Sequence, residues 1–175
     1  MKISLLGYMG SGKSTIGKLL SLHNQMKFID LDEYIENKAE MKIPQIFQDK
    51  GEIYFRKFEK ECLCEILDEQ NFILATGGGT PAYYNNLEIL LDSTLCFYLQ
   101  ASPNLLSERL IHQKFKRPMI AHIENKDLTE FIAKHLFERN DFYQKAHHII
   151  SIQGKSEQEI VLEIDNLIKT HQSQS

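Results

Sequence analysis

The sequence is poor in cysteine: only three occur in 175 residues, and their spacing matches no zinc-binding motif. An odd number of cysteines without such a motif is typical of free thiols in a reducing compartment, so we expect a cytoplasmic protein. No apolar run approaches the ~18 residues that a membrane span requires. The first residues also lack the pattern of a cleavable signal peptide. We therefore expect neither a membrane partner nor a secreted protein.

The sequence also lacks an excess of basic residues. Its 20 lysines and arginines stand against 24 acidic residues, which gives a formal net charge of −4. This balance argues against a general nucleic-acid-binding protein. The chain has no internal repeat, and its 42% apolar and 25% charged residues are typical of a globular protein. A chain of this length forms one domain without help from disulfides, so we predict a single domain over residues 1–175 and expect a monomer.

Short apolar segments with the composition of strands alternate with longer segments of helical spacing. The predicted strands cover residues 2–6, 27–31, 72–75, 94–99 and 148–152. The predicted helices cover residues 12–22, 31–38, 43–49, 53–68, 102–113, 127–143 and 156–170. Because strands separated by helices favour a parallel sheet covered on both faces, we predict an α/β fold.

The first predicted strand runs directly into a phosphate-binding loop. Residues 7–15 read Gly-Tyr-Met-Gly-Ser-Gly-Lys-Ser-Thr, which matches the pattern G-x-x-x-x-G-K-[ST] between a strand and a helix. Its N–H groups and the following helix N-terminus bind phosphates, Lys13 reaches the β- and γ-phosphates, and Ser14 binds Mg²⁺. The pattern predicts a nucleoside triphosphate and Mg²⁺ as ligands. The predicted nucleotide-binding residues are Gly10, Ser11, Gly12, Lys13, Ser14 and Thr15.

The second predicted strand ends in two acidic residues, Asp30 and Asp32. Side chains at the carboxyl end of a parallel strand face the ligand crevice, so both acids are expected beside the phosphate loop. One can hold Mg²⁺ through water, and the other can accept a hydrogen bond from an acceptor hydroxyl. The alternative is a solvated strand end or a helix N-cap at Asp32, which precedes Glu33.

The segment from Arg109 to Lys126 is basic, with five lysines and arginines against one acidic residue. It is either a solvated surface loop or a lid that closes over an anionic ligand. A GTPase would need an Asn-Lys-x-Asp motif after a later strand. Residues 125–128 read Asn-Lys-Asp-Leu, which has the wrong spacing for guanine recognition.

Taken together in chain order, these motifs resemble the shikimate kinases of aromatic amino-acid biosynthesis. The resemblance extends from Gly7 to about Ala146, and after the phosphate loop it depends on the order of the motifs more than on any one of them. The matching segments are residues 7–17, Asp30-Leu31-Asp32, Ile46-Phe47, Gly51-Glu52, Phe55-Arg56 with Glu59, Thr76-Gly77-Gly78-Gly79, Arg117-Pro118, and Arg139 with Tyr143 and Ala146.

The resemblance implies a fold and an activity. The fold would be that of the P-loop nucleoside monophosphate kinases, with a five-stranded parallel sheet in the order 2-3-1-4-5. A substrate-binding helical region is expected near residues 33–62 and a lid near residues 112–125. The implied reaction transfers the γ-phosphate of ATP to the 3-hydroxyl of shikimate, with Mg²⁺ bound by Ser14 and Asp30.

The resemblance also implies roles for particular residues. Arg56 and Arg139 would clamp the shikimate carboxylate, since the planar guanidinium binds carboxylates bidentately. Asp32 would position the acceptor hydroxyl. The implied catalytic residues are Lys13, Asp32 and Arg117. The implied substrate-binding residues are Asp32, Arg56, Glu59, Gly77, Gly78, Gly79 and Arg139. Further nucleotide contacts are implied at Arg109, Arg117 and Lys155.

Two alternatives stay open at this point. One is a gluconate or nucleotide kinase on the same fold, although a nucleotide acceptor would call for a base pocket and more basic residues near residues 33–62. The other is a catalytically silent nucleotide-binding module that acts as a regulator or scaffold. It is disfavoured because no expected functional residue is missing.

Overall fold

The sheet contains five parallel strands, as predicted. The structure is a computed structural model, and it describes residues 1–114 and 117–174. The strands lie in the order β2-β3-β1-β4-β5, which is the order that the resemblance implied. Their bounds are β1 Lys2–Leu6, β2 Lys27–Asp30, β3 Phe72–Ala75, β4 Leu95–Gln100 and β5 His148–Ser151. Each lies within one or two residues of its predicted position.

Helices cover the sheet. Their bounds are α1 Lys13–Asn24, α2 Leu31–Ala39, α3 Ile43–Asp68, α4 Asn86–Ser93, α5 Pro103–Ile111, α6 Pro118–Ala121, α7 Leu128–Tyr143 and α8 Glu157–Gln174. Three short elements were not predicted: α4, α6 and a 3₁₀ turn at Thr80–Ala82. Among the described residues, no helix combines the length and the apolar character that crossing a membrane would require.

The two segments predicted as separate helices at 43–49 and 53–68 form one element, α3. A break at Gly51 divides it, with φ of 80° and ψ of 171°. This φ lies in the left-handed region, which glycine adopts without the steric penalty that a side chain would bring. The break lets the second half of α3 take its own direction, and that half carries Arg56 and Glu59.

Two apolar cores lie on opposite faces of the sheet. One combines side chains of α1, α5 and α8 with Ile3, Leu5 and Ile73. The other combines α2, α3 and α4 with Leu74 and Tyr98. Neighbouring residues such as Ile73 and Leu74 enter different cores because successive side chains of a strand point to opposite faces. Both faces are therefore buried, which explains why the central strands are mostly apolar.

Three functional segments lie at the carboxyl ends of neighbouring strands. Strand β1 pairs with β3 on one side and with β4 on the other, so the chain changes direction across the sheet at β1. Ligands of open α/β sheets bind at such a switch point, outside the carboxyl ends of the strands. The phosphate loop follows β1, the acid pair stands at the junction of β2 and α2, and the three glycines follow β3.

The predicted lid, residues 112–125, is described except for Phe115 and Lys116, which lie outside the described residues. Helix α6 lies within it and begins directly after Arg117. Ile120 of this helix is fully buried in the core that contains α1 and α5. That contact attaches the described part of the segment to the body of the protein.

Candidate active site

The phosphate loop, residues 7–15, joins β1 to α1. Gly12 lies at the N-cap of α1 with φ of 92°, in the left-handed region that favours glycine. The amide of Ser11 donates to the carbonyl of Tyr8 at 3.1 Å, which closes the turn before the helix. The helix then begins with Lys13, Ser14 and Thr15. These three residues line the crevice, and the first N–H groups of a helix have no partner within it, so they can bind an anion there.

The Lys13 side chain is buried, with 9% of its surface exposed. Its Nζ donates to the carbonyls of Gly7 at 2.8 Å and Tyr8 at 3.0 Å. Burial lowers the pKa of Lys13 to about 8, although the carboxylate of Asp32 opposes this change. Among residues 1–114 and 117–174 these two carbonyls are its hydrogen-bond acceptors, and a buried ammonium bound by neutral groups is well suited to an anionic ligand.

Asp30 is the N-cap of α2, and it also contacts the phosphate loop. One carboxylate oxygen accepts from the amides of Asp32 at 3.1 Å and Glu33 at 3.4 Å. The other accepts from the Ser14 hydroxyl at 2.6 Å. The alternative that Asp32 caps this helix is therefore wrong, since Asp30 does so. Capping by Asp30 leaves the Asp32 side chain free to face the crevice.

Asp32 lies between the phosphate loop and the glycine loop, residues 77–79. A methyl group built on Gly77 would lie 2.9 Å from Asp32 Oδ1, so only a glycine permits this approach. The Asp32 side chain is open to solvent in the crevice, but protein atoms surround its other sides. Burial raises the pKa of Asp32 to about 6, helped by the charge of Asp30 and opposed by Lys13. This carboxylate accepts a proton more readily than an ordinary aspartate.

The Arg56 side chain is held on several sides and is 9% exposed. Its Nη1 donates to Glu59 at 3.3 Å, and its Nε and Nη2 donate to Glu52 at 3.4 Å. The guanidinium carbon lies 3.8 Å from the centre of the Tyr83 ring. Glu59 also accepts from the Thr80 hydroxyl at 2.8 Å. Glu59 therefore bonds to both Arg56 and Thr80, and these contacts fix its carboxylate beside the guanidinium.

The glycine loop lies against both Arg56 and the phosphate loop. A methyl group at Gly79 would lie 3.2 Å from Arg56 Nη1. At Gly78 it would lie 3.3 Å from the amide nitrogen of Met9. Side chains here would push the guanidinium or the phosphate loop away, so the three glycines allow close packing of the two parts of the site.

Arg139 lies on α7 and is half-buried. Its guanidinium carbon lies 5.6 Å from the centre of the Tyr8 ring. Arg139 therefore packs on Tyr8 of the phosphate loop. Burial raises the pKa of Glu59, whereas Arg56 and, to a smaller extent, Arg139 lower it. Arg139 and Arg56 thus both lower the pKa of this one carboxyl group.

Two cavities meet at Met9, Asp32 and Arg117, which line both of them. The first has a volume of about 560 Å³ and contains the phosphate loop, Arg109 and Lys155. The second has a volume of about 600 Å³ and is more apolar, with Phe47 among its lining residues. The predicted acceptor ligands Arg56, Glu59 and Arg139 are not among the residues that line either cavity. The arrangement suits two substrates that meet end to end, with Asp32 and Arg117 where they meet.

Arg109 and Lys155 both line the first cavity, as predicted nucleotide contacts should. Arg109 Nη1 donates to the carbonyl of Gly10 at 3.2 Å, so this arginine fixes the phosphate loop as well as lining the cavity. Lys155 forms an ion pair with Glu163 at 2.6 Å. Several residues of the site had no predicted role: some stand in the matching segments or the predicted lid, whereas Tyr83, Glu157 and Ile160 are brought there by contacts distant in the sequence. The residues without a predicted role are Glu52 and Tyr83 beside Arg56, and Met9, Thr76, His112, Gln113, Glu157 and Ile160 in the first cavity.

The comparison with protein families decides between the alternatives. A family model described as shikimate kinase matches residues 9–169. The chain belongs to the shikimate kinase family. The shikimate kinase of Flavobacterium johnsoniae is 46% identical over 169 residues, which cover 95% of this chain and 98% of that relative.

Solved structures of shikimate kinases have the same fold. The crystal structure of shikimate kinase from Bacteroides thetaiotaomicron superimposes with a TM-score of 0.92 at 32% identity, and the match covers 97% of this chain and 98% of that one. Shikimate kinase from Acinetobacter baumannii, in complex with shikimate, gives a TM-score of 0.89 at 31% identity over 97% and 93% of the two chains. The predicted fold class is confirmed.

Proposed function

We propose that the chain transfers the γ-phosphate of ATP to the 3-hydroxyl of shikimate, giving shikimate 3-phosphate and ADP in the aromatic amino-acid pathway. The observation that carries the proposal is the meeting of the two cavities at Asp32 and Arg117, with buried Lys13 on one side. Membership of the shikimate kinase family supports it, as does the complex of the Acinetobacter relative with shikimate.

The shikimate carboxylate binds to Arg56 and Arg139 in this proposal. Arg56 is fixed before the substrate arrives, because Glu59 and the Tyr83 ring hold its guanidinium. A fixed guanidinium loses little freedom on binding, which favours affinity. The glycine loop supplies backbone N–H groups, with Gly78 as the main donor and Gly77 and Gly79 beside it. Glu59 orients Arg56 or accepts from a substrate hydroxyl.

Phosphoryl transfer takes place at Asp32. Its carboxylate accepts a hydrogen bond from the 3-hydroxyl, holds that oxygen in line with the γ-phosphorus and takes up the proton as the new O–P bond forms. The bond to the β-phosphate oxygen breaks, and ADP leaves. Lys13 and Arg117 stabilise the charge on the transferring group. The buried Nε of Arg117 has no hydrogen-bond partner among residues 1–114 and 117–174, which supports a role toward an anion.

The chemistry of Ser14 and Asp30 fits Mg²⁺. Both offer oxygen atoms, which Mg²⁺ prefers, and the 2.6 Å hydrogen bond between them places these atoms together beside the phosphate loop. Ser14 would bind the ion directly and Asp30 through water. When bound, Mg²⁺ neutralises part of the negative charge of the β- and γ-phosphates.

The remaining nucleotide contacts complete the proposal. The amides of residues 10–15, from Gly10, Ser11 and Gly12 to Thr15, bind the phosphates. Arg109 packs on the base, and Lys155 contacts the same end of ATP. A monomeric state, a cytoplasmic location, a single kinase domain over residues 1–175 and lid closure by residues 112–125 stay predictions.

The proposed function is tested by measuring ADP release from Mg-ATP with separate acceptors. We expect strong stimulation by shikimate and none above background by gluconate or nucleoside monophosphates. Product analysis would then show phosphate on the 3-hydroxyl. Stimulation by gluconate or a nucleotide alone would contradict the acceptor assignment. Tight ATP binding with no turnover for any acceptor would favour a silent binding module.

Replacing Ser14 by alanine is expected to raise the Mg²⁺ concentration for half-maximal activity about tenfold, because one hydroxyl ligand of the ion is lost. The measurement is a Mg²⁺ titration at fixed free ATP. Ser21→Ala is the matched control: it removes a hydroxyl from the same helix, where the Ser21 hydroxyl donates to the carbonyl of Lys18 at 2.9 Å. An unchanged Mg²⁺ dependence in Ser14→Ala would remove Ser14 from the metal site.

A further inference from the structure

Tyr143 is a fully buried residue of α7 that lies one helical turn after Arg139. Residues four apart on a helix share a face, so Tyr143 and Arg139 lie on the same side of α7. The hydroxyl of Tyr143 donates to the carbonyl of Gly78 in the glycine loop. The helix that carries one proposed carboxylate ligand is therefore bonded to the loop that carries the proposed backbone donors.

The ring of Tyr143 is itself fixed. It stacks on Tyr98 at 4.9 Å between ring centres, with 25° between the ring planes. Tyr98 belongs to β4 and is 1% exposed. Because the tyrosine ring rests on the sheet, its hydroxyl has a fixed position. Such a hydroxyl can hold a glycine-rich segment that would otherwise adopt many conformations.

The phosphate loop contacts Gly78 as well. A methyl group on Gly78 would lie 3.3 Å from the amide nitrogen of Met9 and 3.7 Å from the carbonyl oxygen of Gly7. The bond from Tyr143 orients the peptide that joins Gly78 to Gly79. It thereby fixes the loop next to the site of phosphate binding.

We propose that Tyr143 is a positioning residue for the acceptor: its hydroxyl holds the glycine loop at a fixed distance from Arg139, so that both bind the same carboxylic acid. The inference rests on the proposed function, because it concerns how shikimate is bound. Tyr143 contacts neither substrate. It acts through Gly78 and through the helix that bears Arg139.

The test is the variant Tyr143→Phe, which keeps the ring and its stacking but removes the hydroxyl. The Gly78 carbonyl then lacks its partner in a buried place, so we expect the KM and Kd for shikimate to rise about tenfold. The KM for ATP should change less than about twofold, since the phosphate loop keeps its own bonds. Tyr98→Phe is the matched control, because it removes a hydroxyl from the other ring of the stacked pair. It should leave the shikimate Kd unchanged.

The outcomes separate the inference from the proposed function. If the unchanged chain neither binds nor phosphorylates shikimate, the proposed function fails. If it does both, but Tyr143→Phe binds shikimate as tightly as the unchanged chain, the inference is wrong. Equal losses of ATP and shikimate affinity, or equal effects of the two tyrosine variants, would also overturn it, because a purely structural role predicts those results.

A measurement on the unchanged chain covers the case in which Tyr143→Phe does not fold. The amides of Thr80 and Ala82 donate to the carbonyls of Gly77 at 3.2 Å and Gly79 at 2.9 Å, so their hydrogen exchange reports whether the glycine loop is ordered. We expect slow exchange before shikimate is added. Fast exchange that becomes slow only with shikimate would contradict a loop held in place by Tyr143.

Discussion

Replacing Lys13 by methionine is expected to lower kcat by about a hundredfold to a thousandfold, which is typical when one charged donor to a transition state is lost. The methionine keeps most of the apolar stem but removes the ammonium. In the proposed mechanism that ammonium binds the β- and γ-phosphates while charge moves between them. Steady-state kinetics with saturating ATP and shikimate measure the effect.

The same substitution should have little effect on folding. Burial lowers the pKa of Lys13 to about 8, below the 10.5 of a free lysine. Between these pH values the unfolded chain binds more protons than the folded one, so folding stability rises with pH there. At pH 7 the buried charge therefore opposes folding. Its removal offsets the loss of the two hydrogen bonds to Gly7 and Tyr8, and we expect the free energy of unfolding to change by less than about 2 kcal/mol.

Lys18→Met is the control for Lys13→Met. Lys18 lies on the same helix, is exposed, and contacts the Phe28 ring at 5.7 Å from its Nζ. Its replacement removes the same charge outside the site and should leave kcat unchanged. If Lys13→Met lost activity only in proportion to its folded fraction, measured by thermal unfolding, Lys13 would have a structural role and not a catalytic one.

The sequence predicts best where the chemistry lies in consecutive residues. The phosphate loop could be identified because eight adjacent positions carry the glycines, Lys13 and Ser14. Strands β1 and β3 were placed at their observed bounds because short apolar runs end there at Gly7 and Thr76. Helix α4 was missed because it has only eight residues and its apolar side chains are nearly continuous, so no helical period appears.

Contacts between distant segments could not be predicted from the residues. Glu52 and Glu59 of α3 surround the Arg56 guanidinium together with Tyr83. No local sequence pattern predicts that an aromatic ring lies 3.8 Å from this guanidinium. The strand order came from the resemblance alone, since periodicity defines strands but not their neighbours. An N-cap at Asp32 stayed open as an alternative in the sequence, because Asp30 and Asp32 both precede helical residues and only the backbone geometry separates them.

The mutation Asp32→Asn is the second prediction with a large effect. An amide cannot take up the proton of the acceptor hydroxyl, and it offers a weaker hydrogen-bond acceptor. We expect kcat to fall by about a hundredfold to ten-thousandfold, the range of general base catalysis. The KM for ATP should change little, because Asp32 acts on the acceptor. Asp68→Asn is the control: it changes one exposed acid near the end of α3, away from the site.

The pH dependence gives an independent test of Asp32. Burial raises the pKa of Asp32 from 3.8 to about 6. Above that pH the carboxylate is ionised and accepts the hydroxyl proton, whereas below it kcat/KM for shikimate should fall about tenfold per pH unit. Asp32→Asn should lack this acidic limb. A limb that persists in the variant would assign the titration to another group.

Ionisation of Asp32 is expected to raise the activity but to lower the stability of the fold. A carboxyl group with a raised pKa in the folded protein stabilises the fold below 3.8, its ordinary pKa, and loses that contribution as the pH rises through 6. At pH 7 the ionised Asp32 therefore disfavours folding, and Asp32→Asn should be at least as stable as the unchanged chain. Thermal unfolding at pH 5 and pH 7 measures this, and the stability gain should be larger at pH 7. A variant that lost both activity and stability at pH 7 would show that Asp32 serves the fold, and the acceptor hydroxyl would need another partner in the crevice.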